Sequence, residues 1–138
     1  VTTLLQNRIE LKGKFTGMKA NEIRVGNIFI GYDDKPFVWG LKEFSFIEPY
    51  VAISIGEIIK SPVELNEEIL LKCGFEKTDE DCYFGQSYWY SKELDYKIRI
   101  DNEDQTFWTG NVRRGYLHDF QNKINIDTGQ ELNTSGLL

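Results

Sequence analysis

Three observations on the 138-residue chain predict an α+β fold. Tyr96, Ile98 and Ile100 alternate with Lys97, Arg99 and Asp101, the period of a strand with one wet face. Asn66 opens an acidic, then apolar run that stops at Gly74, a short helix with both ends specified. Tyr116, Leu117, Phe120 and Ile124 fall at helical spacing. The expected architecture is a small SH3-like curled β-sheet over about residues 22–60, then a short helix, an antiparallel meander and a C-terminal helix packed on it. Residues 18–63 read as a small β lobe and residues 64–138 as an α+β lobe with one core.

Residues 1–17 show no clean period, only scattered Leu4, Leu5, Ile9, Leu11 and Phe15. From Glu22 the pattern becomes strand-like, with Ile23, Val25, Ile28 and Ile30 around a turn-prone Gly26-Asn27. Asp33-Asp34-Lys35-Pro36 predicts a turn, since Asp and Pro suit its early positions. Phe37-Val38-Trp39 then opens a second strand. Val51, Ile53 and Ile55 alternate with Ala52 and Ser54 and read as a third.

Asn66 is a good N-cap, because its side chain accepts a hydrogen bond from a first-turn amide. Glu67 and Glu68 suit the positive end of the helix, and Ile69-Leu70-Leu71 supplies its buried face. Gly74 takes the left-handed position at the end, with Phe75 as the apolar contact beyond it. Within the meander, residues 87–91 place Tyr88 and Tyr90 on one face and Trp89 on the other. Asn102-Glu103-Asp104 turns the chain, and Phe107-Trp108 starts another strand. The last helix starts near Tyr116 and stops at Gly129, and the polar residues 133–136 are expected to fray.

The chain carries a net charge of −6, and residues 18–138 carry −8. That balance repels a phosphate backbone, so no direct nucleic-acid contact is expected, and it favours a basic protein surface. No apolar run approaches the ~20 residues of a membrane span. Cys73 and Cys82 are too few for a disulfide scaffold and read as reduced thiols of a cytoplasmic protein. With one histidine and no close cysteine pair, neither a metal site nor a cofactor is expected. Gly26, Gly31 and Gly40 lack the Gly-Lys-Ser/Thr of a phosphate loop.

The candidate binding residues are few. Arg113, Arg114 and His118, with Lys123, form the one local basic concentration, suited to a phosphate or an acidic partner. Tyr88, Trp89, Tyr90 and Trp108, with Tyr83 and Phe84, make an aromatic set denser than one core face needs. The exposed part of that set is the type of surface that anchors protein partners. No nucleophile accompanies His118, so no catalytic residue is assigned.

Three stretches, MKANEIRVGN (18–27), LNEEILLKCGFEK (65–77) and LHDFQNKINIDTGQEL (117–132), carry a resemblance. The chain resembles a group of uncharacterised small proteins of Bacteroides-type phages, prophages and conjugative elements. Thr usually stands in that group at the position of Asn66. Its last helix is usually more apolar than one holding Lys123, Asn125 and Asp127. The group's members begin at the equivalent of Met18, the only methionine here. Val1 is what a GUG start codon becomes when read literally, so residues 1–17 read as an upstream extension; the rival reading is a genuine N-terminal strand. The resemblance implies no activity. The first expectation is therefore a non-enzymatic accessory protein of a mobile element that binds a host or element protein. A second is an acidic inhibitor that mimics nucleic acid. A third is a small enzyme or ligand binder in which Arg113, Arg114 and His118 converge.

Overall fold

The computed structural model of the chain describes residues 22–46 and 55–138. Short helices and antiparallel strands in small sheets make it an α+β fold. The chain divides into two compact units, Val1–Val63 and Glu64–Leu138.

In the first unit, β1 (Ile28–Ile30) pairs antiparallel with β2 (Pro36–Val38) on one side and β3 (Ser61–Pro62) on the other. The turn before β2 closes as Asp33 Oδ1 accepts the Lys35 N–H at 3.1 Å. Pro36 is tolerated because it starts an edge strand, where a missing N–H leaves no ladder bond unmade. Ile23, Phe29, Trp39 and Ile59 form the core. Trp39 meets Phe29 and Phe44 edge-on, with centroids 6.0 and 5.5 Å away.

Several expectations change here. Residues 23–25 are not strand: the buried Asn27 side chain accepts the Arg24 N–H at 2.6 Å and holds a local turn instead. A helix, α1 (Leu41–Phe46), follows Trp39, and Glu43 accepts the Gly40 N–H at 3.0 Å, as at a helix start. Residues 51–54 of the expected third strand lie outside the described residues, as do residues 1–17. Ile55 opens a helical turn, α2 (Ile55–Ile58), and the strand that pairs with β1 on that side is β3.

The second unit begins with the bridge Glu64–Tyr116 and the Leu65 N–H to Gly115 C=O bond at 2.9 Å, which join the lead-ins to its two helices. Helix α3 (Glu67–Lys72) starts as expected: Asn66 Oδ1 accepts the Ile69 N–H at 2.8 Å. Cys73 is buried at its end, and Gly74 takes φ +87°, which glycine adopts without steric cost. Only Leu70 of the apolar triplet is buried. A helix of under two turns points one of three consecutive residues inward, so Leu71 is exposed.

Strands β4 (Phe75–Lys77), β5 (Gln86–Ser91) and β6 (Tyr96–Asp101) form an antiparallel sheet in that order. Trp89 is opposite Ile98, and both are buried; Tyr88 is opposite Arg99 and Tyr90 opposite Lys97 on the outer face. β7 (Phe107–Thr109) and β8 (Val112–Arg114) form a separate hairpin. Helix α4 (Leu117–Thr128) buries Leu117, Phe120 and Ile124 and stops at Gly129, with φ +72°. Phe120 stands between Phe75 and Phe107, at centroid distances of 5.2 and 5.4 Å. Tyr116 caps α4 instead of joining its buried face. In the segment expected to fray, Ser135–Leu137 form a 3-10 turn that buries no residue, whereas Leu132 just before it is buried. A Cβ added to Gly136 there would lie 3.1 Å from the Lys72 carbonyl oxygen.

Candidate functional site

The two faces of the β4–β5–β6 sheet are chemically opposite. Alternation sends Trp89, Ile98 and Ile100 inward and leaves Tyr88, Tyr90, Lys97 and Arg99 on the outer side. The 79–85 connection adds to that side. Phe84 is fully exposed at its tip and Tyr83 largely so. The Arg99 guanidinium stacks 4.6 Å from the Tyr83 centroid, and Lys97 Nζ lies 4.7 Å from that of Tyr88. Lys97 also bonds both carboxylate oxygens of Glu80 at 2.9 Å. Asp81, Cys82, Tyr83 and Tyr88 line a depression of about 270 Å³ at this end of the sheet.

The rings are oriented by polar contacts. Tyr90 donates to Asp95 Oδ1 at 2.8 Å, and that bond to a carboxylate raises its pKa above the ordinary tyrosine value. Tyr96, at the start of β6, donates to Asp127 on α4. Burial first, then the carboxylate partner, pushes the Tyr96 hydroxyl well above the ordinary value. At Asp127, partial burial works upward, but the Tyr96 hydroxyl and the Lys123 ammonium outweigh it and lower the pKa. Lys123 Nζ stands 3.1 Å from Asp127.

The predicted basic group is divided. Arg113 turns to the β6–β7 turn, where Nη2 lies 2.9 Å from Asp104 and 3.4 Å from Asp101, and Nε donates to Thr106 at 2.6 Å. The Thr106 hydroxyl and Arg113 hold the Asp104 carboxyl below its usual range. His118, a binding candidate of that basic group, is only 2% exposed because the first turn of α4 enters the core. Tyr116 stacks on it at 5.9 Å. Burial, reinforced by Arg114, pushes the imidazole pKa down to about 4, so it is neutral at pH 7. The 3.6 Å approach to Asp119 is then a contact and not an ion pair. Arg114 is half-buried.

Among the aromatic candidates, Trp89 is 3% exposed and belongs to the core, whereas Trp108 on β7 is 47% exposed. Tyr88 and Tyr90 are half-buried on the outer face. Lys97 and Arg99 were not singled out from the sequence, although their alternation with Ile98 and Ile100 placed them beside Tyr88 and Tyr90. Among the described residues, no group of three or more His, Cys, Asp or Glu is arranged to hold a metal ion. Burial raises the Cys73 thiol to about 11, which keeps it protonated at neutral pH. Among the described residues, no helix is long and apolar enough to cross a membrane.

Comparison of the chain with protein-family models, curated proteins and solved structures finds no significant match.

Proposed function

We propose that the chain is a non-enzymatic accessory protein of a mobile element that acts in the host cytoplasm by binding another protein. The observation that carries this reading is the outer side of the second sheet, where Tyr83, Phe84 and Tyr88 are presented with Arg99 and Lys97 stacked against two of the rings. Tyr and Arg are enriched among the residues that dominate interface energetics. Rings stacked under cations lose little freedom on binding, which keeps the entropic cost low. A non-catalytic role is supported by the burial of His118 and the ion pairing of Arg113. The biological setting rests on the resemblance of residues 18–27, 65–77 and 117–132 to mobile-element proteins. The SH3-like reading of residues 22–60 belongs with this proposal, supported by the antiparallel pairing of β1 with β2 inside that range.

The test is affinity capture of the tagged full chain from its host, compared with the double substitution Phe84→Ala/Tyr88→Ala. One or more proteins retained by the wild type and lost by the double variant is the expected result. Identical captured sets from both chains would defeat the assignment of the face.

A further inference from the structure

We propose that the free edge of β6 is the docking strand for an extended, acidic segment of a partner protein. This rests on the protein-binding reading above and specifies how the partner is held. β6 is the last strand of its sheet. The Tyr88 C=O accepts the Thr78 N–H at 2.9 Å, so the main-chain groups of Tyr88 turn towards β4. By the alternation of an antiparallel ladder, those of Trp89 turn towards Ile98. The main-chain groups of Lys97, Arg99 and Asp101 therefore point away from β5. The Asp101 N–H is taken by the Thr106 C=O at 2.9 Å. Among the described residues, the N–H and C=O of Lys97 and Arg99 have no main-chain partner. Such a row is a template for an added strand.

The edge is also shaped. Beyond Thr106, β7 stays near β6 without forming a ladder with it, its ladder partner being β8. A notch of about 230 Å³ opens beside β6, lined by Tyr96, Lys97, Ile98, Arg99, Trp108 and Lys123. It is smaller than the roughly 300–1,000 Å³ of small-molecule sites and suits one side chain of an extended segment.

Register then fixes the chemistry of the occupant. Residues of an added antiparallel strand opposite Lys97 and Arg99 share their face, where carboxylates complement Arg99 and, beside its Glu80 partner, Lys97. The residue between them, opposite Ile98, takes the inner side of the sheet with Ile98 and is apolar or aromatic. The pattern recognised is acidic–apolar–acidic. Arg99 has a ring contact and no carboxylate partner among the described residues, so it offers an unfilled charge. Lys123 adds a cation at the notch, shared with Asp127. The net negative charge of the chain does not oppose this, since screening beyond about 8–10 Å leaves the adjacent cations dominant. A second copy fits poorly: the register that uses both free residues of each copy centres on Ile98 and sets Lys97 against Arg99 twice.

The test uses the isotope-labelled full chain and two short synthetic peptides. One alternates aspartate with valine around a central tryptophan; the other has lysine at every aspartate position. The acidic peptide is expected to slow amide exchange at Lys97 and Arg99 and to bind more tightly than its lysine counterpart by roughly tenfold or more. Lys97→Glu/Arg99→Glu, both on exposed side chains, is expected to reverse that preference. No binding at millimolar peptide, equal affinity for both peptides, or binding without protection of those two amides would overturn the proposal. Peptide failure while a captured partner still depends on Phe84 and Tyr88 removes the edge inference and leaves the protein-binding reading. Failure of both removes both.

Discussion

Replacing Trp89 with alanine should unfold the second sheet far more readily than replacing its neighbour Tyr88. Trp89 is 3% exposed and opposes Ile98 on the inner face, so truncation removes a large buried ring and leaves a cavity. Substitutions of that type cost about 3–5 kcal/mol. Tyr88 lies on the outer face, and its main loss is an exposed contact with Lys97 at 4.7 Å, worth about 0.5–1 kcal/mol. The assay is urea unfolding followed by far-UV circular dichroism, because removing a tryptophan alters fluorescence directly. With a slope of about 2 kcal/mol per molar urea, Trp89→Ala should lower the midpoint by roughly 1.5–2.5 M and Tyr88→Ala by no more than about 0.5 M. Equal losses, or a larger loss for Tyr88→Ala, would mean that the sheet is inverted and that the outer aromatic face has been assigned to the wrong side.

Further outcomes follow from single positions. Gly74→Val and Gly129→Val should each cost about 1–2 kcal/mol from backbone strain alone, since an added Cβ meets nothing within 4 Å at either site; unchanged urea midpoints for both would refute the left-handed helix ends. His118 should make stability depend on pH. Its folded pKa is depressed to about 4 from the usual 6.5, so stability is full above pH 6.5 and falls by up to about 3 kcal/mol as pH drops towards 4. His118→Gln should flatten that window in paired urea titrations at pH 7 and pH 4.5, and an unchanged slope would refute the buried neutral imidazole. The purified chain should contain no stoichiometric zinc, and chelator should leave its melting temperature unchanged. One bound zinc per chain would overturn the reading of Cys73, Cys82 and His118.

Features set by neighbours in sequence were legible before the fold. Asn66 and Gly74 delimit α3 because capping is decided within a few residues of each end. The faces of β5 and β6 follow from strict alternation, so the separation of Tyr88 from Trp89 needed no tertiary information. What failed depended on contacts distant in sequence or on signals spread over few residues. Helix α1 is only six residues long, and its one local mark is the Gly40–Glu43 spacing that the N–H to carboxylate bond uses. β8 is signalled by nothing more than Gly110-Asn111 between Thr109 and Val112, a two-residue hairpin turn. His118 has the composition of a surface residue, and its burial is decided by how α4 enters the core. Lys97 and Arg99 were legible as a wet face, but the edge behind them is unpaired because β7 ladders with β8 and not with β6.

The most direct measurement is titration calorimetry of a captured partner against the wild-type chain and against Phe84→Ala/Tyr88→Ala, after far-UV circular dichroism shows both to be folded at the assay temperature. Loss of two aromatic anchors of a hot spot should weaken binding by roughly thirtyfold or more. An unchanged dissociation constant would contradict the assignment of the outer sheet face as the protein-binding surface.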